Sequence, residues 1–197
     1  MSIKRLANAS ITGAGGKSSK LWDQTTTMGT YESIATITVN DNTGASIVFS
    51  NIPQNYTHLQ IRANVTLYYA SGSGVSAYYL ANVNGITVGS YNHQIYGNGT
   101  GAYGTTDSNI PIAYCQYNVT PTYYAPAVID FLDYTNTSKN KTIRSFSGWD
   151  ANGSGVVGSM SDLISANTNA ISTIALSSGG AYFAINSQFA LYGIRGA

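Results

Sequence analysis

The fold is decided by residues 57–67, which read THLQIRANVTL. Apolar side chains occupy every second position of this stretch, from Leu59 to Leu67. The residues between them are polar or charged, and an alternation with a period of two places the two sets on opposite faces of a β-strand. The stretch therefore predicts a strand with one face in a core and the other in water.

Similar runs of alternating apolar residues recur along the rest of the chain. They span residues 33–39, 45–50, 75–83, 86–96, 110–117, 126–134, 142–149, 171–177 and 185–195. Turn residues separate them, including Asn84-Gly85 and Asn152-Gly153, and Asn-Gly is a strong hairpin signal because a type I′ turn requires positive φ at both central residues. The pattern predicts an all-β protein, an antiparallel β-sandwich of jelly-roll type. Only residues 161–168 are predicted to be briefly helical, with Ser161 as the N-cap.

The composition excludes several classes of protein. Charged residues make up 9% of the chain and Glu occurs once, at Glu32. Helix surfaces are usually rich in Glu, Lys and Arg, so this composition argues against a mostly helical protein. The net charge of +1 argues against a broad nucleic-acid-binding face. A single cysteine, Cys115, excludes an intramolecular disulfide and a cysteine-based zinc site. No apolar run approaches the ~18 residues of a membrane span, and the first residues do not resemble a secretory signal.

The basic residues are concentrated near the N-terminus. Residues 1–22 contain four basic residues and no acid, and residues 1–30 lack apolar periodicity. We therefore predict an extended basic arm over 1–30, followed by a β-sandwich domain over 31–197. The residues expected to dock this arm on a partner are Lys4, Arg5, Lys17, Lys20, Leu21 and Trp22.

Three features resemble catalytic or ligand sites but fit a structural interpretation better. Residues 13–18, GAGGKS, lack the first glycine of a phosphate-binding loop, since Ile11 stands where it should be. His58 and His93 are the only histidines, too few for a typical histidine-based metal site, and His58 is expected on a polar strand face. Cys115 is expected to be a small buried residue. No cofactor and no metal are predicted.

A glycosidase would need two carboxylates that face one groove. Asp130 and Asp133 are three residues apart in a predicted strand, so alternation should point them to opposite faces. We interpret them as surface or turn residues.

Tyrosines are crowded into the middle third of the chain. The candidates for an exposed surface are Tyr68, Tyr69, Tyr78, Tyr79, Tyr91 and Tyr96. Tyrosine combines a large rigid ring with a polar tip, which suits a subunit interface or a glycan-binding surface. Ordinary strand propensity is the alternative explanation.

Three separated segments resemble a known family. Residues 49–59, FSNIPQNYTHL, resemble the pattern F-x-x-I-P-x-x-Y-T-x-L, and residues 134–142, YTNTSKNKT, resemble Y-x-N-T-x-K-x-K-T. Residues 171–176 and 189–195, ISTIAL and FALYGIR, resemble I-x-x-I-x-L followed by F-x-L-Y-G-I-[KR]. Together they resemble small β-sandwich virion proteins of tailed bacteriophages, found among capsid-decoration and tail-associated proteins. The arm lies outside this resemblance, which implies no catalytic residues.

The resemblance and the composition lead to one functional hypothesis. The chain is expected to be a non-enzymatic capsid decoration (cement) subunit on the virion surface, assembled in the host cytoplasm. Its expected partners are the major capsid protein and further copies of itself, with a trimer preferred, and neither nucleic acid nor membrane. Depletion of Lys and Glu is typical of interfaces and suits such a subunit.

Two other hypotheses remain open. One is a tail-fibre or receptor-binding module that recognises host-surface glycans through the tyrosine-rich segment. The other is an enzyme, such as a depolymerase using Asp130 or Asp133.

Overall fold

The strand predicted over residues 57–67 forms over 58–65, whereas Thr66, expected in water, is buried and Leu67 belongs to a separate short strand of the other sheet. β3 runs from His58 to Val65, with Leu59, Ile61 and Val65 fully buried and Arg62 exposed on the opposite face. Alternation therefore decided which side chains enter the core.

The computed structural model describes residues 31–70, 73–87, 91–97, 101–105, 109–118, 120–150, 152–153, 155–164 and 168–195, and side chains are described except in 73–77, 91–97 and 101–105. The predicted arm, 1–30, with Lys4, Arg5, Lys17, Lys20, Leu21 and Trp22, lies outside the described residues, as do residues 13–18.

Across these ranges the chain contains fourteen strands and no helix. They are β1 Tyr31–Thr38, β2 Ser46–Phe49, β3 His58–Val65, β4 Leu67–Tyr68, β5 Ser73–Val83, β6 Tyr91–Gly97, β7 Gly101–Thr105, β8 Pro111–Asn118, β9 Ala125–Leu132, β10 Lys141–Asp150, β11 Gly155–Ile164, β12 Ile174–Ser177, β13 Tyr182–Phe183 and β14 Gln188–Ile194. The all-β prediction is confirmed.

The strands form two sheets. The large sheet has the order β1-β14-β3-β9-β10-β11-β6-β7, and the small sheet has the order β13-β4-β8-β5-β12-β2. Neighbours are antiparallel in every described pair except β4 and β8, which are parallel. The repeated crossing of the chain between the sheets is compatible with Greek-key connections, and the jelly-roll assignment stays a prediction.

The predicted helix is wrong over residues 161–164, and residues 165–167 lie outside the described residues. Residues 161–164 belong to β11, which pairs with β10 on one side and β6 on the other. The inward-facing residues of β11 include Gly158 and Asp162 as well as Met160 and Ile164. Because a glycine and an aspartate occupy the buried face, the hydropathy pattern of this segment does not show the alternation expected of a strand.

The core lies between the two sheets. At its centre the rings of Tyr79, Phe183 and Phe189 pack edge to face, with centroids 5.0–6.2 Å apart. Phe189 comes from the large sheet and the other two from the small sheet. Edge-to-face packing favours the ring quadrupoles, so this cluster joins the sheets.

The predicted Asn-Gly turns form where both residues are described. Asn84 and Gly85 have φ of 51° and 85°, and Asn152 and Gly153 have φ of 61° and 107°. The Asn84 side chain also accepts hydrogen bonds from the backbone N–H groups of Ser172 and Thr173 and donates to the carbonyl of Ala170. A turn residue therefore also holds the segment that leads into β12.

The three segments that carry the family resemblance meet at one end of the sandwich. The Tyr134 hydroxyl donates to the carbonyl of Pro53. The Tyr56 ring lies directly over Gly193, where a Cβ would overlap it. The Tyr56 hydroxyl donates to Glu32 (2.8 Å), which pairs with Arg195 (3.3 Å). These residues close the sandwich end, which is a structural role.

Lys141 is a buried cation at the same end. Its side chain is almost completely inaccessible, and its ammonium donates to the backbone carbonyls of Asn136, Lys139 and Thr168. Desolvation lowers the pKa of Lys141. The three carbonyls replace water around the charge, which buried charges require.

Candidate functional surfaces

His58 is the first residue of β3 and belongs to a small polar cluster. Its Nδ1 accepts a hydrogen bond from the backbone N–H of Asp133 at 2.9 Å, and the Asp133 carboxylate also pairs with Lys139. The Lys139 hydrogen bond is the main cause of the lowered pKa of Asp133. Asp133 has φ of 48°, so this cluster stabilises a left-handed residue in the turn after β9.

Asp130 is engaged elsewhere, on the outer face of the large sheet. It accepts hydrogen bonds from Gln60 at 2.8 Å and from Arg144 at 3.0 Å. Asp130 and Asp133 therefore serve separate polar clusters and do not flank a shared groove.

Cys115 is fully buried in β8, and burial raises the pKa of its thiol far above the usual range. This environment disfavours the thiolate that nucleophilic chemistry needs.

Within the described ranges, no group of three His, Cys, Asp or Glu residues is arranged to hold a metal ion. The same ranges contain no helix that is long and apolar enough to cross a membrane. The side chain of His93 lies outside the description.

The outer face of the large sheet carries an unusual apolar cluster. Phe146 is 61% exposed, Val157 50% and Val128 39%. Phe146 is directly opposite Val128 in the neighbouring strand, and Val157 is opposite Gly148 in the other. Large apolar side chains that are exposed singly are common, but a contiguous group of them marks an interaction surface.

These residues line the apolar groove, a depression of about 610 Å³ bounded by Arg62, Tyr124, Asp150 and Trp149. Gly148 is one of the residues that line the groove. A Cβ there would lie 2.8 Å from the carbonyl oxygen of Val156, so glycine allows β11 to approach β10 closely at this point.

A polar row lies beside the apolar groove. It consists of three register partners across β3, β9 and β10, namely Gln60, Asp130 and Arg144. Because the three side chains lie side by side, Asp130 can accept hydrogen bonds from both of the others. Arg62 lies over the Tyr31 ring at 5.2 Å from its centroid, and Tyr31 stacks on Tyr192 at 4.7 Å. The face therefore presents both signs of charge around an apolar centre.

The predicted tyrosine surface is divided by the fold. Tyr69 and Tyr78 are exposed and Tyr68 is half-buried. Tyr79 is fully buried in the aromatic core, so its inclusion in a surface was wrong: adjacent strand residues point to opposite faces. Tyr91 and Tyr96 belong to β6, but their side chains lie outside the description.

Two of these tyrosines line a second depression, the tyrosine groove, of about 450 Å³. Its rings are Tyr69, Tyr78 and Tyr117, and Tyr117 meets Tyr69 at 83° with centroids 5.9 Å apart. The turn 178–181 forms its opposite wall, and Gly179 and Gly180 both have positive φ.

Sequence reasoning missed the apolar groove. In β10, Ser145 and Ser147 point inward while Arg144 and Phe146 point outward, so polarity does not identify the buried face. The available signal was that alternation places Phe146 on the same face as Arg144. Its clustering with Val128 and Val157 depends on strand register, which the sequence alone does not supply.

No protein-family model, no curated protein and no solved structure matches this chain. The resemblance to virion proteins of tailed bacteriophages therefore stays a prediction.

Proposed function

We propose that this chain is a non-enzymatic virion structural protein, a bacteriophage capsid decoration subunit that self-associates and binds the capsid shell through its N-terminal arm. The observation that carries the proposal is the exposed apolar cluster of Val128, Phe146 and Val157. The sequence resemblance supplies the virion context, and the low charge content fits a protein held in an assembly.

A second copy of this chain is the occupant that best fits the apolar groove. Its rim carries Arg62 on one side and Asp150 on the other, and Arg144 and Asp130 lie in the next row. A surface with both signs of charge can pair with a copy of itself, as symmetric association requires. Pairing of this face with the same face of a second copy is two-fold and gives a dimer, whereas the trimer expected from the sequence would require the groove to seat a different face of its neighbour.

Oligomeric state tests this proposal. We expect light scattering after size exclusion to show an oligomer for the full chain and a monomer for Phe146→Asp, because a buried interface cannot accommodate an unpaired carboxylate. Val48→Asp is the matched control, since Val48 is 52% exposed but lies in β2 of the small sheet. It should leave the oligomer intact.

A monomeric wild-type chain at micromolar concentration would contradict self-association. So would an unchanged oligomer in Phe146→Asp, provided that circular dichroism shows both variants folded.

A further inference from the structure

The tyrosine groove differs in chemistry from the apolar groove. Its described lining includes three tyrosines, Leu80, Asn109 and Ser178, and among the described residues it contains no charged side chain. Small-ligand sites are typically 300–1,000 Å³, mostly apolar or aromatic, with a few polar groups that fix orientation. A depression of about 450 Å³ falls in this range.

The tyrosine rings are arranged as a corner. Tyr69 and Tyr117 are nearly perpendicular, and Tyr78 is 41% exposed on the neighbouring strand. The corner offers ring faces to a ligand together with the polar hydroxyl tips of the same residues. A ligand that fits must combine apolar C–H surface with hydroxyl groups.

The opposite wall leaves the groove accessible. A Cβ at Gly180 would meet nothing within 4 Å, and one at Gly179 would meet only Leu80 at 3.9 Å. The single O–H donor of Ser178 is already engaged, since the carbonyls of Ala45 and Ala181 both lie within hydrogen-bond distance of its oxygen. Asn109 and the tyrosine hydroxyls are therefore the polar groups for a ligand.

We propose that the tyrosine groove binds a neutral saccharide. Pyranose rings present C–H faces that pack on aromatic rings and hydroxyls that exchange hydrogen bonds with amide and phenol groups. An acidic sugar is disfavoured because the part of the lining that the structure describes contains no lysine or arginine. The groove belongs to the small sheet and the apolar groove to the large sheet, so this inference does not depend on the proposed self-association.

Calorimetric titration of the full chain tests this inference. The probes are cellohexaose, maltohexaose, mannohexaose and hexa-N-acetylchitohexaose, with a galacturonic acid hexamer as the charged comparison. We expect at least one neutral hexamer to bind with a Kd of about 1 mM or tighter. Tyr78→Ala and Tyr69→Ala should each weaken binding about tenfold.

Tyr182→Ala is the matched control. Tyr182 is as exposed as Tyr69 and lies in the small sheet, but outside the groove lining, so this variant should bind within about twofold of wild type. The inference is overturned if no neutral hexamer binds at about 10 mM, if the galacturonic acid hexamer binds in preference, or if Tyr182→Ala weakens binding as much as Tyr78→Ala. Light scattering on the same samples reports self-association separately.

Discussion

Lys141 shows how one residue can hold together several segments at one end of the sandwich. Lysine is rarely buried, yet here its ammonium joins the turn after β9 to Thr168 through backbone carbonyls. We expect Lys141→Met to lower the free energy of unfolding by about 2 kcal/mol, because three carbonyls lose a charged donor. Urea denaturation followed by circular dichroism measures this change.

Lys139→Met serves as the control for Lys141→Met. The Lys139 side chain is 54% exposed and pairs with Asp133 at the surface, so its loss should cost at most about 1 kcal/mol. Equal destabilisation by the two variants would contradict a special role for the buried ammonium.

Adjacent tyrosines mark the limit of prediction at the residue scale. Alternation guarantees that Tyr78 and Tyr79 point to opposite faces, but both are equally suited to a core and to a surface. The aromatic partners Phe183 and Phe189, which are more than a hundred positions later in the chain, decide that Tyr79 enters the core. Local sequence does not contain that information.

At the scale of elements, β14 depends on a residue without a side chain. Gly193 pairs with Glu32 of β1 and Leu59 of β3 while the Tyr56 ring covers it. We expect Gly193→Ala to lower the free energy of unfolding by about 1–3 kcal/mol, because the added methyl must displace the ring. Thermal and urea unfolding measure the loss.

Gly44→Ala is the control for Gly193→Ala, since a Cβ at Gly44 would meet nothing within 4 Å. It should change stability by less than about 0.5 kcal/mol. A Gly193→Ala variant as stable as this control would show that Tyr56 can move away without cost.

Strands were predictable where the buried face is uniformly apolar. β3 alternates cleanly and was predicted, and β14 was predicted from the less regular run 185–195, whereas β11 was partly predicted as a helix because Asp162 and Gly158 occupy its inner face. In β10 the inward serines and outward Phe146 reverse the usual polarity. The strands were thus largely predictable, but the apolar groove was not, since it arises from pairing between strands.

At the scale of the whole molecule, the predicted arm and the sandwich should be separable. We expect a chain lacking residues 1–28 to keep the unfolding temperature of the full chain, because the described core and the side chains packed against it are built from residues 34 onward. The same truncation should abolish co-sedimentation with capsids of the cognate phage. Replacing Lys4, Arg5, Lys17 and Lys20 by Gln in the full chain should weaken co-sedimentation without removing the arm's apolar residues.

Unchanged capsid binding by the truncated chain would assign docking to the sandwich instead. A large drop in unfolding temperature would show that residues 1–28 contribute to the stability of the sandwich.

The placement of the two grooves on different sheets has a consequence for avidity. If the proposed oligomer forms through the outer side of the large sheet, the residues that line the tyrosine groove take no part in that contact, because its strand residues belong to the small sheet. Each oligomer then displays several identical weak sites, and the first to engage a repetitive polymer raises the effective concentration of the polymer at the others. A millimolar site can in this way give durable attachment to a densely glycosylated surface, with release whenever the polymer is cut into short pieces.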